Sequence, residues 1–482
     1  MKAIVFFHRC ELADLFAAVG MALEGEVRIV HLAYSAAEAA RLRELGITQP
    51  ITIFKDEVLR LHPSSMADAA TLTGIDDLFI RQSGGAFNLN GAIQSDRGFS
   101  LLTLDEAQRL TVTYYRFWTE FLDQHGANVV LHETCSLMFN FVAVMLCAQR
   151  GGHYLYSIMA QGPGKGFNHL LMSGVDLTCP DLDRALAAVG SGDLAVDEIR
   201  CAAFLEDFRK SFSVFLGDAF KRPSLTRLAA AALHNRLRQI LHGNPYDRVL
   251  DNIDFWMAEC RNAEKKFLNL SRYRREIRFD AFDPSQRYYF YPLHLEPEAV
   301  VLYHARGLYT NQEKLLQNIA AQLPPSVYLY VKDHPHDHGY RSADDYLALK
   351  SVPNIRLLDS SMSGKEVTAH SLGVITQNGT AGFEALLLGK QVFTFGKTFY
   401  SSAPGVIYLR NIRDLREALY TAAQRPPVSD AALHRYLTAY FAALHPGFTD
   451  YFAGLAQRCG IDLKQNAKQV AAGLLATLQA AE

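Results

Sequence analysis

Val327-Tyr328-Leu329-Tyr330-Val331-Lys332-Asp333-His334-Pro335 and Gly373-Val374-Ile375-Thr376-Gln377-Asn378-Gly379-Thr380-Ala381-Gly382-Phe383-Glu384-Ala385-Leu386 are the stretches on which the reading of this chain turns. Each opens as a short apolar run that breaks into a polar turn, the pattern of a buried parallel strand. In the first, Pro335 restricts the backbone around His334, whose imidazole can donate to a phosphate oxygen. In the second, a small-residue turn leads into a helix predicted over Thr380–Leu388. Gly379, Thr380, Ala381 and Gly382 leave the first amides of that helix uncovered, and uncovered amides at the positive end of a helix dipole attract anions. Thr380 and Glu384 are four residues apart and share one face. A phosphate on the helix start with a ribose diol on Glu384 matches the dimensions of a nucleotide. A loop histidine and an ordinary Gly-rich helix start would look similar singly; their succession one strand apart favours the anion site.

Working outward, strands are expected at Tyr288–Leu293, Ile355–Leu358 and Val392–Phe395, with helices at Thr310–Leu323 and Asp344–Lys350. The N-terminal part repeats the alternation: strands Lys2–Phe7, Val27–Ala33, Asn128–Glu133 and Tyr154–Ile158, and helices Ala13–Leu23, Ala36–Glu44, Leu104–His125 and Ser136–Gln149. Such alternation argues for an α/β fold of two Rossmann-like, doubly wound parallel-sheet domains. The expected limits are 1–200 for the N-terminal domain, 201–280 for a basic helical insertion, 281–428 for the C-terminal nucleotide-binding domain, and 429–482 for a helical tail packing back on the first domain. Ligands of such sheets sit outside the carboxyl ends of the strands, here in an expected cleft between the halves.

Composition narrows the function classes. The 482 residues are 49% hydrophobic and 20% charged, ordinary for chains with large cores. A net charge of −2 gives no signature of a nucleic-acid partner. Residues 209–278 are an exception, with 15 Lys/Arg against 7 Asp/Glu. That surplus is either a solvated face or a patch for an anionic acceptor or a membrane surface. Seven scattered cysteines without a C-x-x-C pair fit a reducing cytosol and no structural zinc. The first strand has too short an apolar run for a signal peptide, and no apolar run is long enough to span a membrane. His334, His336 and His338 could be imagined around a metal, but Pro335 and Gly339 argue for a turn. No D-x-D motif stands at a plausible strand end, so no metal or other cofactor is expected.

The succession Pro292-Leu293-His294-x-Glu296-Pro297-Glu298, Asn311-Gln312, Lys332-x-His334-Pro335, Asn354-Ile355-Arg356-Leu357, Gly379-Thr380-Ala381-Gly382-Phe383-Glu384-Ala385-Leu386 and Phe395-Gly396-x-x-Phe399-Tyr400 resembles the bacterial capsule-polysaccharide biosynthesis glycosyltransferase family. That family includes CMP-Kdo-using β-Kdo transferases. The resemblance covers roughly 288–406, and in the N-terminal half it is confined to layout and short pieces such as Asp96-Arg97. It implies a GT-B fold with the donor nucleotide on the C-terminal domain, and phosphate contacts from His334 and Thr380. Glu296 stands where the family commonly has Gln, which leaves the donor sugar open. Lys332, Gly379, Glu384, His294 and Glu298 complete the expected donor site.

A CMP-sugar leaves with one phosphate, so His334, Lys332 and the helix amides could stabilise the departing group without a metal. On the acceptor side, Glu133 ends a strand and Asp96-Arg97 precede the long helix. A carboxylate there can act as general base or as nucleophile. The expected function is transfer of Kdo or a related nonulosonic acid from CMP to a saccharide or lipid-linked saccharide, in the cytoplasm, with peripheral contact at the inner membrane. The alternatives are another GT-B enzyme using UDP-sugar or CDP-glycerol, a sugar-nucleotide epimerase, or a non-catalytic assembly protein.

Overall fold

The computed structural model describes residues 3–479 except 10–11, 100–101, 165, 211–224, 227–228, 231–232, 234–254, 297, 308, 335–336, 338 and 450–454. In chain order its strands are β1 (Ala3–His8), β2 (Arg28–Ala33), β3 (Ile51–Ile53), β4 (Ala127–Leu131), β5 (His153–Ala160), β6 (Asn168–Ser173) and β7 (Tyr288–Pro292). There follow β8 (Tyr328–Lys332), β9 (Ile355–Leu358), β10 (Gly373–Thr376), β11 (Gln391–Thr394), β12 (Val406–Tyr408) and β13 (His445–Pro446). The chain divides into two compact units, Met1–Ala195 with Ala439–Glu482, and Val196–Thr438.

The first unit is built on a sheet of order β13-β6-β5-β4-β1-β2-β3. Pairing is parallel from β5 to β3, while β6 and β13 add an antiparallel edge. β1 is buried along its whole length, as its unbroken apolar run predicts for a central parallel strand. Its alternate residues serve opposite faces. Ile4 and Phe6 pack with Leu15, Phe16 and Val19 of the helix Leu12–Ala22 and with Val470 and Leu474 of the helix Leu463–Gln479. Phe7 faces Phe54, Trp118 and Phe139, with ring centroids 5.3–5.7 Å apart. Aromatic pairs of this kind add about 0.5–1.5 kcal/mol each beyond burial. The helix Leu104–His125 begins with a Thr103/Glu106 capping box and ends at Gly126, whose φ of 57° is left-handed.

The second unit has six strands in the order β12-β11-β10-β7-β8-β9, all parallel among the described residues. Tyr291, Leu329, Val331, Leu357, Ile375 and Phe393 fill one face, against Leu315, Leu316 and Ile319 of the helix Gln312–Gln322. The fold class is the one expected, two Rossmann-like parallel-sheet units with helical additions.

Several elements differ from the sequence reading. The stretch 83–98, polar and Gly-containing in sequence, holds the helix Leu89–Ser95. The helices Phe54–Leu61, Ala69–Gln82 and Gly364–His370 and the antiparallel β6 were not expected, although Phe54, Val58 and Leu61 are buried at helical spacing. The basic segment lies largely outside the described residues. Its described flanks, Glu198–Lys210 and Phe255–Glu276, cluster with the second unit. The division between units falls inside the helix Asp430–Ala443 rather than at 428.

Candidate functional site

The carboxyl ends of β11, β10, β7 and β8 stand side by side in the second sheet. Thr394 and Thr376 end the first two strands, His294 follows β7 by two residues, and Lys332 and His334 leave β8. The parallel register creates this row, because Tyr291 pairs with Val331 and Thr376 with Thr394. Neighbouring strands are about 4.8 Å apart, so β7 puts His294 between the β8 and β10 ends.

His294 is the best-anchored of the expected residues. Its ring Nε2 lies 3.0 Å from Thr376 Oγ1 and 3.3 Å from the backbone N of Gln377. Thr376 Oγ1 also accepts from the backbone N of Gly379, at 3.3 Å. Gln312 grips the backbone of residue 294 from both sides, accepting from its N–H and donating to its carbonyl, both at 2.9 Å. Burial, and then the neighbouring Arg341 cation, lower the imidazole to about 4, so it is neutral at pH 7. Gly379 is where a side chain cannot fit: a Cβ there would stand 2.6 Å from His294 Cε1.

The helix Thr380–Leu387 starts at Gly379 with no side-chain cap, and Thr380 is exposed. An uncapped start beside an imidazole is suited to an anion. Glu384, one turn on, is half-buried; burial pushes its carboxyl up, opposed by Lys365 and Lys332. Lys332 is buried, which lowers its ammonium, while Asp333, Asp359 and Glu384 raise it. Its Nζ donates to the Asp333 carbonyl at 3.4 Å.

His334 is half-buried, with its backbone N bonded to Asp333 Oδ1 at 2.9 Å. Pro335, His336 and His338 lie outside the described residues, and among the described residues no cluster of His, Cys, Asp or Glu could hold a metal ion. Glu298 is half-buried where the turn after β7 begins, and its carbonyl accepts from Val301 and Leu302 at 3.1 and 3.0 Å.

Three polar groups beside this row were not singled out from the sequence. Gln377 Oε1, both side-chain polar atoms of Asn378 and Thr394 Oγ1 are buried without a hydrogen-bond partner among the described residues. Arg341 was missed as well. It is 5% exposed, and its guanidinium binds Glu296 at 2.8 Å, Asp337 at 3.1 Å and the His294 carbonyl at 3.4 Å. Asp333, 3.7 Å from Arg341, also accepts from Tyr346 at 2.8 Å. Burial and Asp337 push its carboxyl up to about 7, with Arg341 opposing. The helix Phe255–Glu276 braces this loop from outside, since Asn269 donates to the Gly339 carbonyl at 3.0 Å. Arg272 there is already paired with Glu276 and Asp344, which leaves less free positive charge than the composition suggested.

In the first unit, Glu133 follows β4 and forms an ion pair with Arg9, which follows β1. His132 Nε2 lies 3.8 Å from the same carboxylate, and Tyr154 donates to the Glu133 carbonyl at 3.0 Å. Glu133 keeps 17% exposure, so it is reachable. Asp96 differs. It is buried and accepts from the amides of Gly98, Phe99 and Met138 at 2.7, 3.2 and 2.5 Å. It therefore caps the helix Met138–Gln149 and closes its own turn, a structural task that occupies both carboxylate oxygens. Arg97 beside it is half-buried.

Each of the two units is Rossmann-like, and the second sets an imidazole and an open helix start at the carboxyl ends of its central strands. Residues 252–442 match the model of the family described as capsule polysaccharide biosynthesis protein. Curated proteins give no match. Among solved structures, the β-Kdo 2,7 transferase KpsC of Thermosulfurimonas dismutans is 17% identical over 44% of this chain and 60% of its own, with a TM-score of 0.25. HepE of Anabaena, in complex with UDP and glucose, is 12% identical over 99% of this chain and 100% of its own, with a TM-score of 0.31. The UDP-GlcNAc 2-epimerase of Neisseria meningitidis, bound to UDP-GlcNAc, is 12% identical over 99% and 100%, with a TM-score of 0.27.

Proposed function

We propose that the protein is a glycosyltransferase that moves Kdo or a related nonulosonic acid from a CMP-activated donor to a saccharide or lipid-linked saccharide, in the assembly of a surface polysaccharide. The observation that carries this reading is the cradle of His294, Thr376 and Gly379 at the start of the helix Thr380–Leu387, inside the stretch that matches the capsule family. A single phosphate on that helix start receives the amide dipoles and the imidazole N–H, while Glu384 meets the ribose. Lys332 and His334, from the adjoining strand end, add positive charge and a second donor as the phosphate departs. The chemistry asks for no metal. Glu133, oriented by Arg9, serves the acceptor hydroxyl as general base or the anomeric carbon as nucleophile. No described helix is long and apolar enough to cross a membrane; we propose action on the cytoplasmic side with peripheral contact at most.

The test is incubation with CMP-Kdo and a Kdo-terminated glycolipid acceptor, with CMP release and product mass as readouts. Acceptor-dependent CMP release supports the reading. Turnover of UDP-sugars in place of CMP-Kdo refutes the donor assignment.

A further inference from the structure

At His294 a main-chain group decides which ring nitrogen carries the proton. A backbone N–H can only donate, so the Gln377 amide 3.3 Å from Nε2 makes that nitrogen the acceptor and leaves the proton on Nδ1. Thr376 agrees: its oxygen accepts from Gly379 N and its own proton is directed to Nε2. Nδ1 has no partner among the described residues. It faces the space that a side chain on Gly379 would fill, 3.3 Å from the position of that missing Cβ.

Two anchors fix the loop bearing this ring. Gln312 is one, and Arg341 is the other. Arg341 reaches the His294 carbonyl and Glu296 on the loop after β7, and Asp337 and Asp333 on the loop after β8. Its backbone N also donates to Asp337 Oδ1 at 3.0 Å. Only a planar fork with several donors can bridge two loops in this way; an ammonium on a flexible stem makes one of these contacts at a time.

We propose that Arg341 is a positioning residue that ties the loops after β7 and β8 together and thereby holds His294 with its Nδ1–H turned into the gap at Gly379, where it meets a phosphoryl oxygen of the donor. The inference rests on the donor-site reading above. The electrostatics reinforce it. The Arg341 cation and burial both disfavour a second proton on the ring, and that proton would set an N–H against the Gln377 amide. Glu296, Asp333 and Asp337 balance Arg341, with the Tyr346 and Tyr291 rings beside the cation and the imidazole.

The experiment is nitrogen NMR of the full chain with 15N-labelled histidine, the His294 signals being assigned by their loss in His294→Gln. Wild type should show the Nδ1–H tautomer, unchanged from pH 8 to pH 5.5, and its Nδ1 signal should move with CMP but not with cytidine. Arg341→Lys should lose the fixed tautomer and bind CMP about tenfold or more weakly, with cytidine binding unaltered. If Arg341→Lys does not fold, Glu296→Gln loosens the same anchor and should shift the signals in the same direction. An Nε2–H tautomer in wild type, or an unaltered His294 signal in the variants, overturns the positioning role whatever the nucleotide does. The expected tautomer with no response to CMP refutes the donor-site reading instead.

Discussion

Replacing Gly379 by alanine adds one methyl group at a close approach in the proposed donor site. Gly379 has a φ of −72°, which any residue adopts, so the backbone itself is not strained. The obstacle is the ring of His294, 2.6 Å from the new Cβ, inside any real carbon–carbon contact. The imidazole must move, yet it is held by Thr376 and by the Gln377 amide. Overpacking of this kind costs about 1–3 kcal/mol. Loss of unfolded-state freedom at a Gly→Ala position returns about 0.4–1 kcal/mol. The net loss, of order 1–2 kcal/mol, lowers the Tm of a unit this size by roughly 2–8 °C. Binding should suffer more. A hydrogen bond to a charged group is worth about 1.5–3 kcal/mol, so losing the imidazole contact weakens CMP binding by roughly tenfold to a hundredfold. Calorimetric titration of the folded variant with CMP, beside cytidine as the phosphate-free control, reads this directly. Undiminished CMP affinity in a folded Gly379→Ala protein would refute the cradle.

Glu133→Gln should keep CMP binding and lose CMP release by several hundredfold or more, on the order of 10²–10⁴, measured under single-turnover conditions; retained turnover removes Glu133 from the chemistry. Asp333→Asn tests the buried carboxyl pushed up to about 7. In the folded protein this group keeps a proton that the unfolded chain releases near pH 4. Its contribution to stability is therefore present at low pH and is lost as pH rises to about 7. The stability difference between wild type and Asp333→Asn should shrink from pH 5 to 7 and level off above; thermal unfolding across that range showing a flat or rising difference contradicts the placement.

How much was legible in the sequence follows from what each signal depends on. The elements β9 and β10 and the helix Leu104–His125 were readable to the residue, because short apolar runs, a capping Thr103 and a terminal Gly126 are local facts. β6 and the helices Phe54–Leu61 and Ala69–Gln82 were not read, although Phe54, Val58 and Leu61, and Ile75, Leu78 and Phe79, are buried at helical spacing; three such residues per helix are a weak signal in a short window. In the donor site, His294, Gly379 and Thr380 could be picked out by their motifs. The contact between His294 and Gly379 could not, because it depends on β7 lying beside β10, a topological neighbour far away in sequence. Arg341 left no mark for the same reason: its partners come from two loops that only the register of β7 with β8 brings together. Asp96 looked catalytic as an acidic residue beside an Arg, and only its three amide partners reveal the capping role.

The central claim is that the second unit grips a single nucleotide phosphate. Its most direct measurement is the affinity of the unmodified protein for CMP, cytidine and UMP under identical salt and pH. The account predicts that CMP binds at least tenfold more tightly than cytidine, with UMP weaker than CMP. Equal affinities for CMP and cytidine would contradict it.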